Sequence, residues 1–262
     1  MLTEERLQTI QDMVERRKSA SIQELVEELD ISESTVRRDL ALLDQQGRVS
    51  KVRGGAMACD SHYSTEDAPV ASRRDLNLGE KQAIARYAAS LIRPHDFIYL
   101  DAGTTTELLI DYLTEKNVVF VTNALSHARK LSQMGYTAYI PGGEFKAATE
   151  AVVGEEAMES LRKYNFTKGF WGTNGISVKG GFSTPDVKEA NVKKTAMEHC
   201  AECYVLCDSS KFSQISCVKF NEIANAVIIT TENTKEILGD EYYEYEAAGD
   251  IRIARTAGRK LH

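Results

Sequence analysis

The chain has 262 residues, 42% hydrophobic and 27% charged, with four prolines and a net charge of −7 at neutral pH; it is long enough for two domains or one large one and is expected to fold as a soluble globular protein. No apolar run approaches the roughly 18 residues of a membrane span, the N-terminal Met1-Leu2-Thr3-Glu4-Glu5-Arg6 has no apolar leader core, and five cysteines make no disulfide framework. The composition argues against membrane attachment and export and for a reducing cytoplasm.

Thr3 to about Arg17 reads as a first helix with Leu7, Ile10 and Val14 on one face. Ser21-Ile22-Gln23-Glu24 has capping-box spacing and opens a short second helix carrying Leu25, Val26 and Leu29. Asp30-Ile31 is a tight connection to a third helix, with Ser32 as its N-cap. At about 100° per residue, Val36, Leu40 and Leu43 fall within roughly 60° of one another and form a core stripe. Ser34, Arg38 and Ala41 lie opposite, flanked by Thr35 and Arg37. Two short helices so closely joined predict a helix-turn-helix, and the second places its hydroxyls and arginines in the first two turns, the end that enters a DNA major groove. Arginine's donor fork matches guanine O6 and N7 or a phosphate, and Ser and Thr bond base edges or phosphates. An ordinary amphipathic helix with a solvated basic face is the competing reading, and the flanking elements favour DNA.

Gly47 stops the third helix, and Arg48-Val49-Ser50-Lys51-Val52-Arg53-Gly54-Gly55 alternates polar and β-branched residues before a glycine pair. That is the pattern of a β-wing whose Lys51 and Arg53 touch the phosphate backbone. The reading is a winged helix-turn-helix over residues 1–57, with Ser34, Thr35, Arg37, Arg38, Lys51 and Arg53 as DNA-binding residues. Charge is distributed accordingly: Ser34–Met57 carries five basic and two acidic side chains, or +3, which leaves −10 for the remainder. A small basic patch on an acidic body marks a DNA-binding module attached to something else. One winged helix contacts few base pairs, so a homo-oligomer (dimer or tetramer) on double-stranded operator DNA is expected.

Residues 58–76 are polar, contain Pro69 and show no periodicity, so they read as a linker. From residue 77 to 262 helical stretches alternate with short β-rich runs at Phe97–Leu100, Val118–Val121, Thr137–Ile140, Gly169–Trp171, Tyr204–Cys207 and Ala226–Thr230. The alternation predicts βαβ units in an α/β domain with a mainly parallel sheet, a fold that binds ligands at the carboxyl ends of its strands. Five runs end on polar or glycine-rich turns there: Asp101-Ala102-Gly103-Thr104-Thr105-Thr106, Thr122-Asn123, Pro141-Gly142-Gly143, Gly172-Thr173-Asn174-Gly175 and Asp208-Ser209-Ser210-Lys211-Phe212. Each alone is ordinary turn chemistry; converging at one sheet edge they predict a site. The first suits a phosphate, because glycine admits close approach and free amides and hydroxyls gather at a helix N-terminus.

No cofactor is expected, since the first strand is not followed by Gly-x-Gly-x-x-Gly. His199-Cys200-x-x-Cys203-x-x-x-Cys207 invites a zinc reading. With His199 and Cys200 ending a helix, and Cys203 and Cys207 sharing a buried strand face with Val205, cysteine as a small hydrophobe is favoured and no metal is expected. The basic residues of Arg252–Lys260 read as a solvated edge.

Ser32-x-x-Thr35-Val36-Arg37-Arg38-Asp39-Leu40, followed by Arg53-Gly54-Gly55-Ala56, resembles the N-terminal domain of the DeoR family of bacterial transcription regulators. From about Arg74 onward the chain resembles that family's effector domain, whose fold is similar to ribose-5-phosphate isomerase and related phosphosugar isomerases. The marks are Glu80-Lys81-x-x-Ile84-Ala85, Asp101-x-Gly103-Thr104-Thr105, Thr122-Asn123, Gly142-Gly143, Thr184-Pro185-x-x-x-Glu189-Ala190-x-Val192-Lys193 and Asp208-x-Ser210-Lys211-Phe212. The resemblance implies a repressor of a sugar operon, released from its operator by a sugar phosphate. It implies that Gly103, Thr104, Thr105 and Thr106 cradle the phosphate, that Thr122, Asn123, Asn174 and Lys211 line the sugar, and that Glu189 and Lys193 close over it; Asp101, Gly142 and Gly143 complete the set. Glu189 and Lys193 also fit a plain i,i+4 surface ion pair.

A phosphosugar isomerase carrying a DNA anchor is the alternative. Proton shuttling between adjacent carbons needs a carboxylate base, and where isomerases carry an Asp-Gly-x-Asp type turn this chain has Gly172-Thr173-Asn174-Gly175. A non-enzyme is therefore expected, although Asp101, Glu189 and Asp208 remain. Tyr164-Asn165-Phe166-Thr167-Lys168-Gly169-Phe170 resembles fructose-linked members of the family, which implies fructose 1-phosphate as effector, with tagatose 6-phosphate next.

Overall fold

The computed structural model describes residues 3–17, 19–46, 48–52, 54–58, 63–64 and 70–256, and the chain divides into two compact units, Met1–His62 and Tyr63–His262. The smaller unit runs α1 (Thr3–Arg17), β1 (Ser19–Ser21), α2 (Ile22–Leu29), α3 (Glu33–Gln45), β2 (Val49–Val52) and β3 (Gly55–Ala58). Leu7, Ile10, Val14, Leu25, Val36, Leu40 and Leu43 pack into one buried cluster, so the helical periodicity of the sequence is the core. The capping box forms as spaced: Ser21 accepts from the Glu24 amide while Glu24 accepts from the Ser21 amide. Ser32 caps α3 through the Thr35 amide.

Strand β1 carries no alternation signal and is visible only in three dimensions, where the sheet order is β1-β3-β2 with both pairings antiparallel. Gly55 permits it: a Cβ there would stand 2.2 Å from the Ala20 carbonyl oxygen. Asp39 turns inward and accepts from Arg6 at 2.6 Å, tying α3 to α1.

The larger unit begins inside the stretch read as linker. Tyr63–Ser64 (β4) pairs in parallel with Ile215–Ser216, and Val70–Arg73 is a short helix, α4. The chain then runs α5 (Leu78–Ser90), β5 (Phe97–Leu100), α6 (Thr104–Asp111), β6 (Val119–Thr122), α7 (Leu125–Gln133) and β7 (Thr137–Tyr139). A hairpin of β8 (Glu144–Lys146) and β9 (Ala151–Val153) precedes α8 (Glu155–Leu161) and β10 (Phe166–Gly172). Next come β11 (Gly175–Ser177), β12 (Gly181–Thr184), α9 (Val187–Glu198) and β13 (Cys200–Leu206). The chain finishes with β14 (Ile215–Ser216), β15 (Val218–Asn221), β16 (Val227–Thr231), α10 (Glu232–Leu238), α11 (Tyr242–Ala248) and β17 (Ile251–Ala254).

Seven strands form one parallel sheet, ordered β17-β16-β13-β10-β5-β6-β7. Alternate residues feed separate cores on its two faces. Tyr99, Trp171, Val205 and Ile228 lie in one, whereas Ile98, Leu100, Phe170, Leu206 and Ile229 lie in the other with α5 and α6. Burial on both faces is why these strands read as apolar runs. Two strands outrun that signal: β10 starts at Phe166 and β13 at Cys200, because polar Lys168 is buried against Asp96 at 3.0 Å and Glu202 is exposed.

Three expectations need correcting. Arg252 to Ala254 are not merely a solvated edge but three of the four residues of edge strand β17, with the Arg252 guanidinium 5.7 Å above the Tyr204 ring; Arg259 and Lys260 lie outside the described residues. Cys200 opens β13 rather than ending α9, whose last helical residue is Glu198. β6 runs one residue later than read, from Val119 to Thr122. Among the described residues no helix is long and apolar enough to cross a membrane.

Candidate functional site

On α3, Ser32 sits 2.9 Å from both the Ser34 and the Thr35 hydroxyls, so these groups are tied together at the helix start. Arg37 is exposed and donates to Glu33 one turn back, at 2.5 and 2.9 Å. Arg38 is exposed and makes no hydrogen bond or ion pair among the described residues. Lys51 is exposed on β2, where its amide donates to Asp44 at 2.8 Å; Arg53 and Gly47 lie outside the described residues. With Asp39 turned inward against Arg6, the outer face of α3 is more basic than the residue count suggests.

In the larger unit the ends of β5, β10 and β13 surround a cavity of about 80 Å³. Gly103, Thr104 and Thr105 line it at the start of α6, whose N-cap Gly103 contributes no side-chain cap, so the first amides of the helix are left for another acceptor. Asn174, Glu189, Lys193 and Lys211 line it as well. These seven of the expected effector residues therefore meet in one place.

The remaining six do other work. Asp101 is buried behind the wall, where one carboxylate oxygen accepts from Lys193 and from the Gly172 amide at 3.1 Å and the other has no hydrogen-bond partner among the described residues. Burial pushes its pKa up, opposed by the Lys193 ammonium. Thr106 bridges the Asp101 and Gly103 carbonyls at 2.7 and 2.8 Å and so shapes the loop from within. Asn123 accepts from the Ala102 amide at 2.9 Å and donates to the Val152 carbonyl, and buried Thr122 accepts from the Ala124 amide at 3.2 Å. Gly142 and Gly143 do not line the cavity. Gly143 has φ +138°, and a Cβ there would stand 2.6 Å from the Val153 carbonyl oxygen, so the hairpin requires a glycine for its own packing.

Glu189 and Lys193 do not form the i,i+4 surface pair. Both are buried, Glu189 accepts from Lys146 at 3.0 Å and Thr149 at 2.5 Å, and Lys193 reaches Asp101 and the Gly172 carbonyl. Asn174 accepts from the Thr184 hydroxyl at 3.1 Å. Asp208 caps the turn that presents Lys211 and accepts from Ser210 and from Asn77. Cations, uncapped amides and oriented amide and hydroxyl groups thus share one small space, which suits an anion attached to a polyhydroxy body.

Sequence comparison decides the family. The DeoR-like helix-turn-helix domain matches residues 6–62 and the DeoR C terminal sensor domain matches residues 76–233. The HTH-type transcriptional regulator FruR of Bacillus subtilis (strain 168) is 41% identical over 93% of this chain and 96% of its own length. The chain belongs to the DeoR family of transcription regulators. The lactose phosphotransferase system repressor of Staphylococcus epidermidis (strain ATCC 12228 / FDA PCI 1200) is 34% identical over 87% of this chain and 92% of its own. IolR, an HTH-type transcriptional regulator of Bacillus subtilis (strain 168), is 31% identical over 92% and 94%. Ribose 5-phosphate isomerase A from Methanocaldococcus jannaschii superposes at TM-score 0.36 with 17% identity over 50% of this chain and 53% of that one, a likeness that bears on neither activity nor ligand.

The sensor-domain match begins at the edge of a group that residue patterns missed: Arg73, Asn77 and Lys81 line the cavity, as does Thr149. Lys81 was legible as an anomaly. It shares the inward stripe of α5 with buried Ile84, Ala85 and Ala88, at spacings of three, four and seven, where a lysine has no ordinary place. Burial pulls its pKa down to about 8; Asp208 opposes this, and Lys211 and Arg73 add to it. His127 is the other surprise. Fully buried beside the Gly103 carbonyl at 3.2 Å, it is held neutral by burial, with its pKa near 3, and backs the cradle loop.

Proposed function

We propose that this DeoR-family regulator represses an operon for sugar uptake or catabolism and leaves its operator when a phosphorylated sugar fills the cavity. The observation that carries this is the uncapped start of α6 facing the same small space as Lys193 and Lys211. A phosphate is the ligand group that would satisfy free helix amides and ammonium groups together. The lactose phosphotransferase system repressor among the relatives supports a sugar-linked operon.

In this reading Gly103, Thr104, Thr105 and Lys211 hold the phosphate, Asn174, Glu189 and Lys193 meet the sugar hydroxyls, and Asp101, Thr106, Thr122 and Asn123 hold the frame. The winged head, through about residue 57, binds double-stranded DNA through Ser34, Thr35, Arg37 and Arg38 on α3 and Lys51 and Arg53 on the wing. It works as a homo-oligomer in the cytoplasm. The cavity binds without catalysing: Asn174 cannot take up a proton, and Glu189 and Asp101 are each engaged by a lysine. Fructose 1-phosphate is the first candidate effector and tagatose 6-phosphate the second. Calorimetry with both, alongside operator gel shifts, tests the reading. Binding with loss of the shifted band is expected. Turnover of either sugar, or an operator complex indifferent to every sugar phosphate that binds, would overturn it.

A further inference from the structure

Strand β7 is one end of the seven-stranded sheet, and its far side has no strand beside it among the described residues. The nine residues from Gly135 to Gly143 carry no charge, so this edge lacks the charged side chains that keep a free strand from pairing. The opposite edge differs, because β17 carries Arg252.

Large apolar side chains gather along the uncharged edge. Tyr139 ends β7, Ile140 follows it, Phe145 stands on β8 just past Pro141-Gly142-Gly143, and Leu125 opens α7; each is 43–49% exposed. Leu125 and Phe145 line one groove of about 350 Å³ with Ser126, Arg129, Ala147 and Glu150. The groove thus holds one charge of each sign. Arg129 is exposed and makes no hydrogen bond or ion pair among the described residues. Glu150, with its side chain 45% exposed, has Arg74 at 3.9 Å.

An apolar patch rimmed by polar groups marks an interaction surface, and the charges say which partner fits. A two-fold dimer uses the same patch twice, so residue i of one copy meets residue j of the other and j meets i. A patch that combines apolar side chains with one cation and one anion is complementary to itself. DNA asks for the same symmetry, since paired heads read half-sites related by a two-fold axis.

We propose that the β7 edge, the start of α7 and β8 form the face through which the sensor domain pairs with a second copy of this chain. Leu125, Tyr139, Ile140 and Phe145 supply its apolar contacts, and Arg129 of each copy meets Glu150 of the other. This rests on the homo-oligomer of the preceding reading and gives it a surface. The face also adjoins the effector site: Thr149 lines the cavity and Glu150, the next residue, lines the groove, so one turn serves both.

Sedimentation equilibrium on the full-length protein tests it, with melting curves to establish that each variant folds. Wild-type protein should be a dimer or tetramer. Phe145→Asp, Arg129→Glu and Glu150→Arg should each lose one association step or weaken it by about tenfold or more. The decisive sample is a mixture. Arg129→Glu protein presents two anions at this face and Glu150→Arg protein two cations, so each repels its own copy and pairs with the other, and the mixture should regain wild-type association. Folded Phe145→Asp protein that associates like wild type, or a mixture that associates no more tightly than its components, overturns this face and leaves the homo-oligomer standing. Wild-type protein that stays monomeric, alone and on operator DNA, removes both.

Discussion

Thr106→Val tests whether the cradle loop is held from inside. The Thr106 hydroxyl reaches the Asp101 carbonyl at 2.7 Å and the Gly103 carbonyl at 2.8 Å from a site with no solvent exposure. Valine keeps the shape and removes the donor. The Gly103 carbonyl retains the Glu107 amide at 2.9 Å and His127 at 3.2 Å, so it loses little. The Asp101 carbonyl has no other donor among the described residues, so the cost is one buried acceptor left bare, about 1–3 kcal/mol. For a unit of this size each kcal/mol lowers Tm by about 2–4 °C, which predicts a fall of about 2–12 °C in the melting of the larger unit. Sugar-phosphate affinity should fall too, because the amides of the α6 start are aimed by that loop, and Thr106→Ser should restore both. Calorimetry and thermal unfolding on the three proteins decide it. A destabilised Thr106→Val protein that binds sugar phosphate with wild-type affinity would refute the claim that this hydroxyl sets the cradle.

On DNA, Arg38→Ala should cost roughly 1–3 kcal/mol and relax sequence preference in a footprinting titration, while Lys51→Ala weakens all DNA alike and lowers the salt slope by about one; Arg37→Ala should fall short of Arg38→Ala, because Arg37 must first leave Glu33. Lys211→Ala or Thr105→Ala protein should hold its operator in gel shifts and no longer release it on addition of sugar phosphate, and Glu189→Ala should keep ligand yet lose much of the release, having released Thr149 and left Lys146 to Asp186. Lys81 sets a pH dependence: with its pKa at about 8 against an ordinary 10.5, the unfolded chain holds the extra proton between those values, so this lysine's destabilisation is full below pH 8 and relieved as pH climbs toward 10.5. Effector affinity should fall above pH 8 as its charge is lost, and calorimetry in buffers of differing ionisation enthalpy should show proton uptake that Lys81→Met abolishes. Light scattering at operator-saturating concentration should give at least a dimer; a monomer would contradict the half-site geometry.

What the sequence made legible was whatever a period or a cap can encode. The stripe Val36-Leu40-Leu43 and the Ser21–Glu24 box appear in the structure as written, and five of the seven parallel strands announce themselves as apolar runs because both faces are buried, while edge strand β7, exposed at Thr137 and Tyr139, shows only as a short β-rich run. Strand β17 stayed hidden because an edge strand with Arg252 in it carries half that signal. The cavity was half legible. Turn residues at strand ends flagged the right rim, but turn chemistry does not tell a residue that faces a ligand from one that braces the loop, so Thr105 and Thr106 looked alike. Lys146, at the end of β8, and Thr149, in the turn that follows it, are the partners of Glu189; they come from a distant hairpin and leave no local trace.

Among the described residues the two units share no core residue: one hydrophobic cluster uses positions 7 to 56, and the others begin at 83. Unfolding of the whole chain therefore has no reason to be one cooperative event. A scanning calorimeter should resolve two endotherms, the smaller belonging to the head and the larger to the sensor. Operator DNA would raise the first and sugar phosphate the second, each by mass action on its own unit. The displacement of one peak by the other unit's ligand is then a direct reading, in degrees, of how strongly the two halves of this regulator communicate.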